Sequence, residues 1–168
     1  MNAKVTLISP DVLSQQARLH IDEWLRKYPQ EQKKSAIIAA LTYVQKENGG
    51  FLTNELIEAV AAYLEMPKIA AFEVATFYSM FELKPVGRHK ICVCTNISCM
   101  LSGSDEIVKY LSNKLGINLG QTTADGKFTL KSVECLAACC GAPMMQIGDD
   151  YYENLNAQKI DEILASKE

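Results

Sequence analysis

Six cysteines lie between residues 92 and 140 of a 168-residue chain, as Cys92, Cys94 and Cys99 and then Cys135, Cys139 and Cys140. Each group contains a spaced pair, Cys94-x4-Cys99 and Cys135-x3-Cys139, able to turn two thiolates toward one centre. Four soft thiolates suit zinc or an iron–sulfur cluster. Structural zinc sites favour about two to four residues between paired ligands, so the first pair sits at the wide end of that range. A Cys-x4-Cys start also opens the plant-type [2Fe–2S] pattern, but the next ligand then follows after about two residues, and Met100 to Ser102 supplies none. The Cys-x-x-Cys of a dithiol redox centre is absent. Spacing alone leaves iron–sulfur, zinc, and thiol redox or inert core thiols open.

The other chemically able residues carry weaker signals. Cys92 alternates with Val93 along an apolar run and reads as a buried core thiol. Cys140 neighbours a member of the second pair and reads as a spare thiol. His20 and His89 lie away from the cysteine spacing and read as surface or capping residues. The aromatic series Phe72, Phe77, Tyr78 and Phe81 reads mostly as core, with Tyr78 and Phe81 outermost and packed under the sheet or a partner. No nucleophile elbow supports Ser-His-Asp catalysis, and the carboxylates are spread over solvated helix faces.

The elements that must position these groups change character near residue 85. Before it, four helical patterns run in series. Ser9 and Pro10 open the first, with Leu13, Ala17, Ile21, Trp24 and Leu25 as its stripe. The second runs from about Gln32 to Asn48-Gly49-Gly50, the third is capped by Thr53, and the fourth opens at Pro67. Beyond Arg88 short strands alternate with helices: Ile91 to Val93, a helix capped by Ser104 and stopped by Gly116, Phe128 to Val133, Pro143 to Ile147 and Tyr151 to Glu153 around Gly148-Asp149-Asp150, and a last helix capped by Asn156. The expectation is an α+β chain: an N-terminal four-helix subdomain over 1–84, then a thioredoxin-like mixed β-sheet domain with flanking helices over 85–168.

Composition excludes several classes. Apolar residues make up 48% of the chain, enough for a packed core, and the formal charge of -3 with no block of like charge offers no footprint for nucleic acid. No apolar run approaches the ~20 residues of a bilayer span. Met1 to Pro10 lacks the basic and apolar regions of a signal peptide, giving the expectation of an intracellular chain. No G-x-G-x-x-G lies between a strand and a helix, so no dinucleotide site is expected on this chain.

Asp125-Gly-Lys-Phe128-Thr129 followed by Cys135-Leu-Ala-Ala-Cys139-Cys140-Gly-Ala-Pro143 resembles the signature of the 24 kDa subunit family of respiratory complex I, the NADH:quinone oxidoreductase. Cys94-Thr-Asn-Ile-Ser-Cys99-Met-Leu101 is similar to that family's first ligand pair, Val74-Ala-Thr-Phe-Tyr78 to its helical motif, and Pro85-Val-Gly-Arg-His89 to its lead into the sheet. The match runs from about the first helix to near the C-terminus. Ala137 departs from it, standing where the family usually has glycine, so its methyl group must fit near the cluster or its backbone.

The resemblance implies a thioredoxin-like ferredoxin domain holding one [2Fe–2S] cluster on Cys94, Cys99, Cys135 and Cys139. It implies as partners a flavoprotein subunit that carries FMN, the NADH site and a [4Fe–4S] cluster, and a larger iron–sulfur subunit of the same peripheral arm. It implies a cytoplasmic place on the bacterial inner membrane reached through the complex, without insertion. The equivalent subunit of an NAD-linked hydrogenase or formate dehydrogenase is the alternative within the family, and a zinc-stabilised adaptor the alternative outside it. Backbone amides of Thr95 to Gly103 and Leu136 to Ala142 are expected to point at the sulfurs, with Gly103 and Gly141 giving the chain room to turn. A helix from Ser104 with its N-terminus aimed at the cluster would favour the reduced state.

Overall fold

The computed structural model describes residues 12–167. The chain divides between Pro85 and Val86 into two compact units.

The first unit is helical. Helix α1 (Gln15–Leu25) starts where the Ser14 hydroxyl accepts the Ala17 amide at 2.9 Å, and it buries Ala17 and Ile21. The Ser9-Pro10 opening lies outside the described residues. The second helical pattern becomes two pieces, a 3-10 segment Gln30–Ala36, itself kinked at Gln32 (φ -113°, ψ 29°), and α2 (Ile37–Glu47). Thr53 caps α3 (Asn54–Tyr63) as expected, and α4 is Lys68–Phe77. The buried positions of α4 are Ala71 and Ala75, small residues that let it lie close to its neighbours around Leu41, Ile57 and Val60.

The aromatic series divides differently from the sequence reading. Phe81 is 5% exposed and belongs to this unit's own core, whereas Phe77 is 80% exposed. Helical spacing fails because the chain turns extended at Tyr78, at φ -84° and ψ 119°, and brings Phe81 back inward.

The second unit is a five-stranded sheet in the order β2-β3-β1-β4-β5. Its strands are β1 (His89–Cys94), β2 (Gln121–Thr122), β3 (Phe128–Val133), β4 (Met145–Ile147) and β5 (Asp150–Tyr152). β1 and β3 are parallel and the other pairings are antiparallel. The parallel pair requires a crossover, supplied by α5 (Ile97–Leu101) and α6 (Ser104–Leu115), and α7 (Ala157–Ala165) follows β5. Ile91 and Val93 of β1, Leu130 of β3 and Met145 of β4 form the core with Ile107 and Leu111 of α6 and Ile160 of α7.

Gly87 fastens the entry to the sheet. A methyl group there would lie 2.9 Å from the Phe128 carbonyl carbon, and its amide donates to the Thr129 hydroxyl at 2.6 Å. Two elements depart from the sequence reading. The β2 edge strand is two residues long, too short for a periodicity signal. Ser104 does not cap its helix: Gly103, at φ 93°, takes the cap position with no side-chain bond, and Ser104 becomes the first helical residue.

Candidate metal centre

The parallel register carries the two cysteine pairs to one end of the sheet. Cys94, the last residue of β1, lies opposite Val133, the last residue of β3, and Cys135 follows two residues later. Cys99 stands on α5, a five-residue helix begun where the Asn96 side chain accepts the Ile97 amide at 2.8 Å. Cys139 opens a 3-10 turn, Cys139–Gly141. Cys94 and Cys99 are 3% and 2% exposed and pack with Met144, Leu136, Ala138 and Ala142, while Cys135, Cys139 and Cys140 are exposed. All six cysteines are thiols.

Thiol contacts join the pairs. Cys94 is near enough to Cys99 and Cys135 for their thiols to lower its pKa, and Cys139 is near enough to Cys99 to act on it electrostatically, while the Cys94 thiol lies 4.0 Å from the Glu134 carbonyl. Among the described residues no group of three or more His, Cys, Asp or Glu side chains is gathered round one metal-ion position. Burial raises the Cys94 thiol pKa, but the amides of Asn96 and Leu136 and the thiols of Cys99 and Cys135 outweigh it and hold the pKa below the ordinary 9.0. Cys99 moves the opposite way: burial and the Cys94 thiol raise its pKa, against the Met144 amide. The Ala137 amide reaches the Cys135 sulfur at 3.3 Å.

Amides therefore do face the sulfurs, from Asn96, Leu136 and Ala137 in the expected loops and from Met144 just beyond them. Nothing in the sequence marks Met144. It arrives because its carbonyl accepts the Cys94 amide at 3.1 Å, bringing this segment alongside β1.

The glycine expectations resolve unequally. Gly103 does use a left-handed backbone, at φ 93°. Gly141 does not. It serves close approach instead, since a methyl group there would fall inside the Glu153 side chain, and its carbonyl accepts the Asn154 amide at 2.6 Å. Ala137 has φ 59°, so this residue, and not a glycine, holds the left-handed turn between Cys135 and Cys139.

Cys92 is buried on β1, whereas Cys140 is exposed beside Cys139. His20 stacks on Tyr43 with ring centroids 4.2 Å apart. His89 has a buried Nε2 with no hydrogen-bond partner among the described residues, a departure from a surface role that no spacing announces.

A mixed sheet whose adjacent parallel strands deliver two cysteine pairs to one end defines a thioredoxin-like α+β protein with a cysteine-lined candidate centre. The chain belongs to the thioredoxin-like [2Fe-2S] ferredoxin family, whose model matches residues 21–168. It is 52% identical over 143 residues to the E subunit of the NADH-quinone oxidoreductase of Rickettsia felis, covering 85% of this chain and 86% of the relative. To the protein of the same name from Rickettsia conorii it is 48% identical over 165 residues, 98% of this chain and 96% of the relative. Among solved structures it is similar in fold to an NAD+-reducing [NiFe]-hydrogenase in the H2-reduced state, with a TM-score of 0.68 and 22% identity over 77% of this chain and 22% of that one.

Proposed function

We propose that this chain is the [2Fe–2S] electron-transfer subunit of an NADH:quinone oxidoreductase, with Cys94, Cys99, Cys135 and Cys139 as ligands. The observation that carries the reading is the parallel register that ends β1 at Cys94 opposite Val133, two residues before Cys135, so that the two cysteine pairs leave the same end of the sheet. The residues fit the group. Four soft thiols in two spaced pairs at one end of the sheet suit a dinuclear centre, the Ala137 amide bonds the Cys135 sulfur at 3.3 Å, and the amides of Asn96, Leu136 and Met144 lower the pKa of the Cys94 or Cys99 thiol. A bound [2Fe–2S] group accepts and gives one electron with little rearrangement, at a potential set by charge, hydrogen bonds to sulfur and exposure.

The chain's own contribution is position and environment. Cys94 and Cys99 place one side of the group in a dry wall, while Cys135 and Cys139 leave the other side near the surface, where electrons can cross to a partner. That partner is a flavoprotein subunit holding FMN, the NADH site and a [4Fe–4S] cluster, with a larger iron–sulfur subunit in the same arm. Identity of 48% across 98% of the chain to a quinone oxidoreductase subunit supports this assembly over an NAD-linked hydrogenase or formate dehydrogenase. No helix among the described residues is long and apolar enough to cross a membrane, consistent with attachment to the cytoplasmic face through the complex.

The test is protein purified without oxygen and analysed for iron, acid-labile sulfide, visible absorption and reduced-state EPR. Two irons and two sulfides per chain are expected. Alanine at Cys94, Cys99, Cys135 or Cys139 is expected to abolish or cripple the signal, and alanine at Cys92 or Cys140 to retain it. A colourless protein with stoichiometric zinc would refute the reading, and an intact signal in Cys139→Ala would move the fourth ligand to Cys140.

A further inference from the structure

Ser104 is 0% exposed, and its Oγ has no hydrogen-bond partner among the described residues. A hydroxyl in that state carries an uncompensated desolvation penalty, and such groups are rare in folded proteins. Its place in the fold says what could satisfy it. α6 returns the chain from the end of β1 to the start of β3, and its 12 residues span roughly 18 Å against roughly 20 Å for the six residues of β1. The helix therefore begins at the end of the sheet where β1 delivers Cys94. Ser104, Ile107 and Leu111 are its buried residues and share one face, and the latter two pack against the sheet core. The row that faces the sheet thus starts with a hydroxyl, at the level of the strand ends. The Gly103 turn, at φ 93°, follows directly on α5, which carries Cys99.

We infer that the Ser104 hydroxyl donates a hydrogen bond to a sulfur on the Cys94–Cys99 side of the cluster, and that it is a positioning and potential-tuning residue of the centre. This rests on the ligand reading given above. Gly103 is part of the device, because its left-handed turn takes the cap position and removes Ser104 from the capping role that its sequence context offers. The bond is charge-assisted and strengthens when the added electron raises the negative charge on sulfur, so it favours the reduced state.

Ser104→Ala removes one oxygen and leaves the space nearly unchanged. In the cluster-loaded variant the midpoint potential is expected to fall by an amount equal to a roughly tenfold shift in the one-electron equilibrium, about 59 mV. ENDOR of the reduced protein is expected to lose one exchangeable proton coupling. The cluster-free variant should melt at the same temperature as cluster-free wild type or higher, since an orphaned hydroxyl has gone. A defect confined to the loaded protein, with no loss of stability in the cluster-free one, is a signature that a purely structural serine would not produce. An unchanged potential with all exchangeable couplings retained overturns the inference while leaving the ligand assignment intact, and a lower melting temperature in the cluster-free variant shows an ordinary packing role and overturns it too. Wild type that takes up no iron and sulfide defeats the ligand reading itself, and with it this one.

Discussion

At φ 59°, Ala137 holds a backbone position that L-residues other than asparagine and aspartate rarely visit, and it does so between two proposed ligands. Its amide reaches the Cys135 sulfur, so the strained conformation is also the one that turns a donor on the metal centre. Ala137→Gly removes a penalty of about 1 kcal/mol but adds freedom to the unfolded chain, leaving an expected gain of up to about 1 kcal/mol by chemical denaturation. Ala137→Val, β-branched at positive φ, should lose more than about 1 kcal/mol and lower cluster occupancy, measured as iron per chain. His89 offers a test by pH. Burial of its ring, then Lys167, Arg88 and Lys127, hold its pKa below the ordinary 6.5. The folded state therefore binds this proton less readily than the unfolded chain, and the contribution to stability is full above about pH 6.5 and is lost as pH falls toward the lowered folded value. His89→Gln is expected to flatten the fall in melting temperature between about pH 6.5 and 5. Equal slopes for variant and wild type would count against it.

At the scale of elements, the site depends on braces outside the ligand loops. The segment after β5 holds the second loop through the Asn154 amide to the Gly141 carbonyl at 2.6 Å and the Leu155 amide to the Pro143 carbonyl at 2.9 Å, and Glu153 fills the space beside Gly141. Gly141→Ala drives a methyl group into that side chain, against its Cδ, Oε2 and Cβ. It is expected to cost about 1–3 kcal/mol and to reduce cluster retention, with partial recovery in the Gly141→Ala, Glu153→Gly double variant. Additive losses in the double variant would show that the two residues do not communicate. Gly87 is a brace of the same kind for β1 against β3, and Gly87→Ala should destabilise by a similar ~1–3 kcal/mol because backbone, unlike a side-chain tip, has nowhere to move.

The whole molecule consists of two units with separate cores, and the proposed ligands all belong to the second. A fragment of residues 86–168 is therefore expected to fold cooperatively and take up the cluster. Loss of cooperative unfolding in that fragment would show that the helical unit supports the sheet. The helical unit contributes no proposed ligand and leaves Phe77, Met80, Leu83 and Ile69 exposed, so under the proposed function it is expected to dock on the flavoprotein subunit. Removing residues 1–80 should weaken co-purification with that subunit at least about tenfold, and unchanged affinity would refute the assignment. Under the proposed ligand set, loading a [2Fe–2S] cluster would take the formal charge from -3 to about -5 and reduction to about -6, so electron transfer there would also change the field at the surface.

The sequence by itself determined the α+β order, the caps at Thr53 and Asn156 and the stop at Gly116, because each is a local matter of side-chain type and period. It also carried the family, since several motifs stand in one order. What only the tertiary structure decided is non-local. The parallel register of β1 and β3 sets Cys94 beside Cys135, the Met144 segment brings an amide that no spacing marks, and Phe81 turns inward after a helix that has already ended. Gly141 proved to be a matter of contact with Glu153, twelve residues away, and not of its own backbone freedom. Ser104 shows the division most sharply: its type and position read as a cap, and a left-handed glycine one residue earlier made it a buried hydroxyl at the end of the sheet where the cysteines meet.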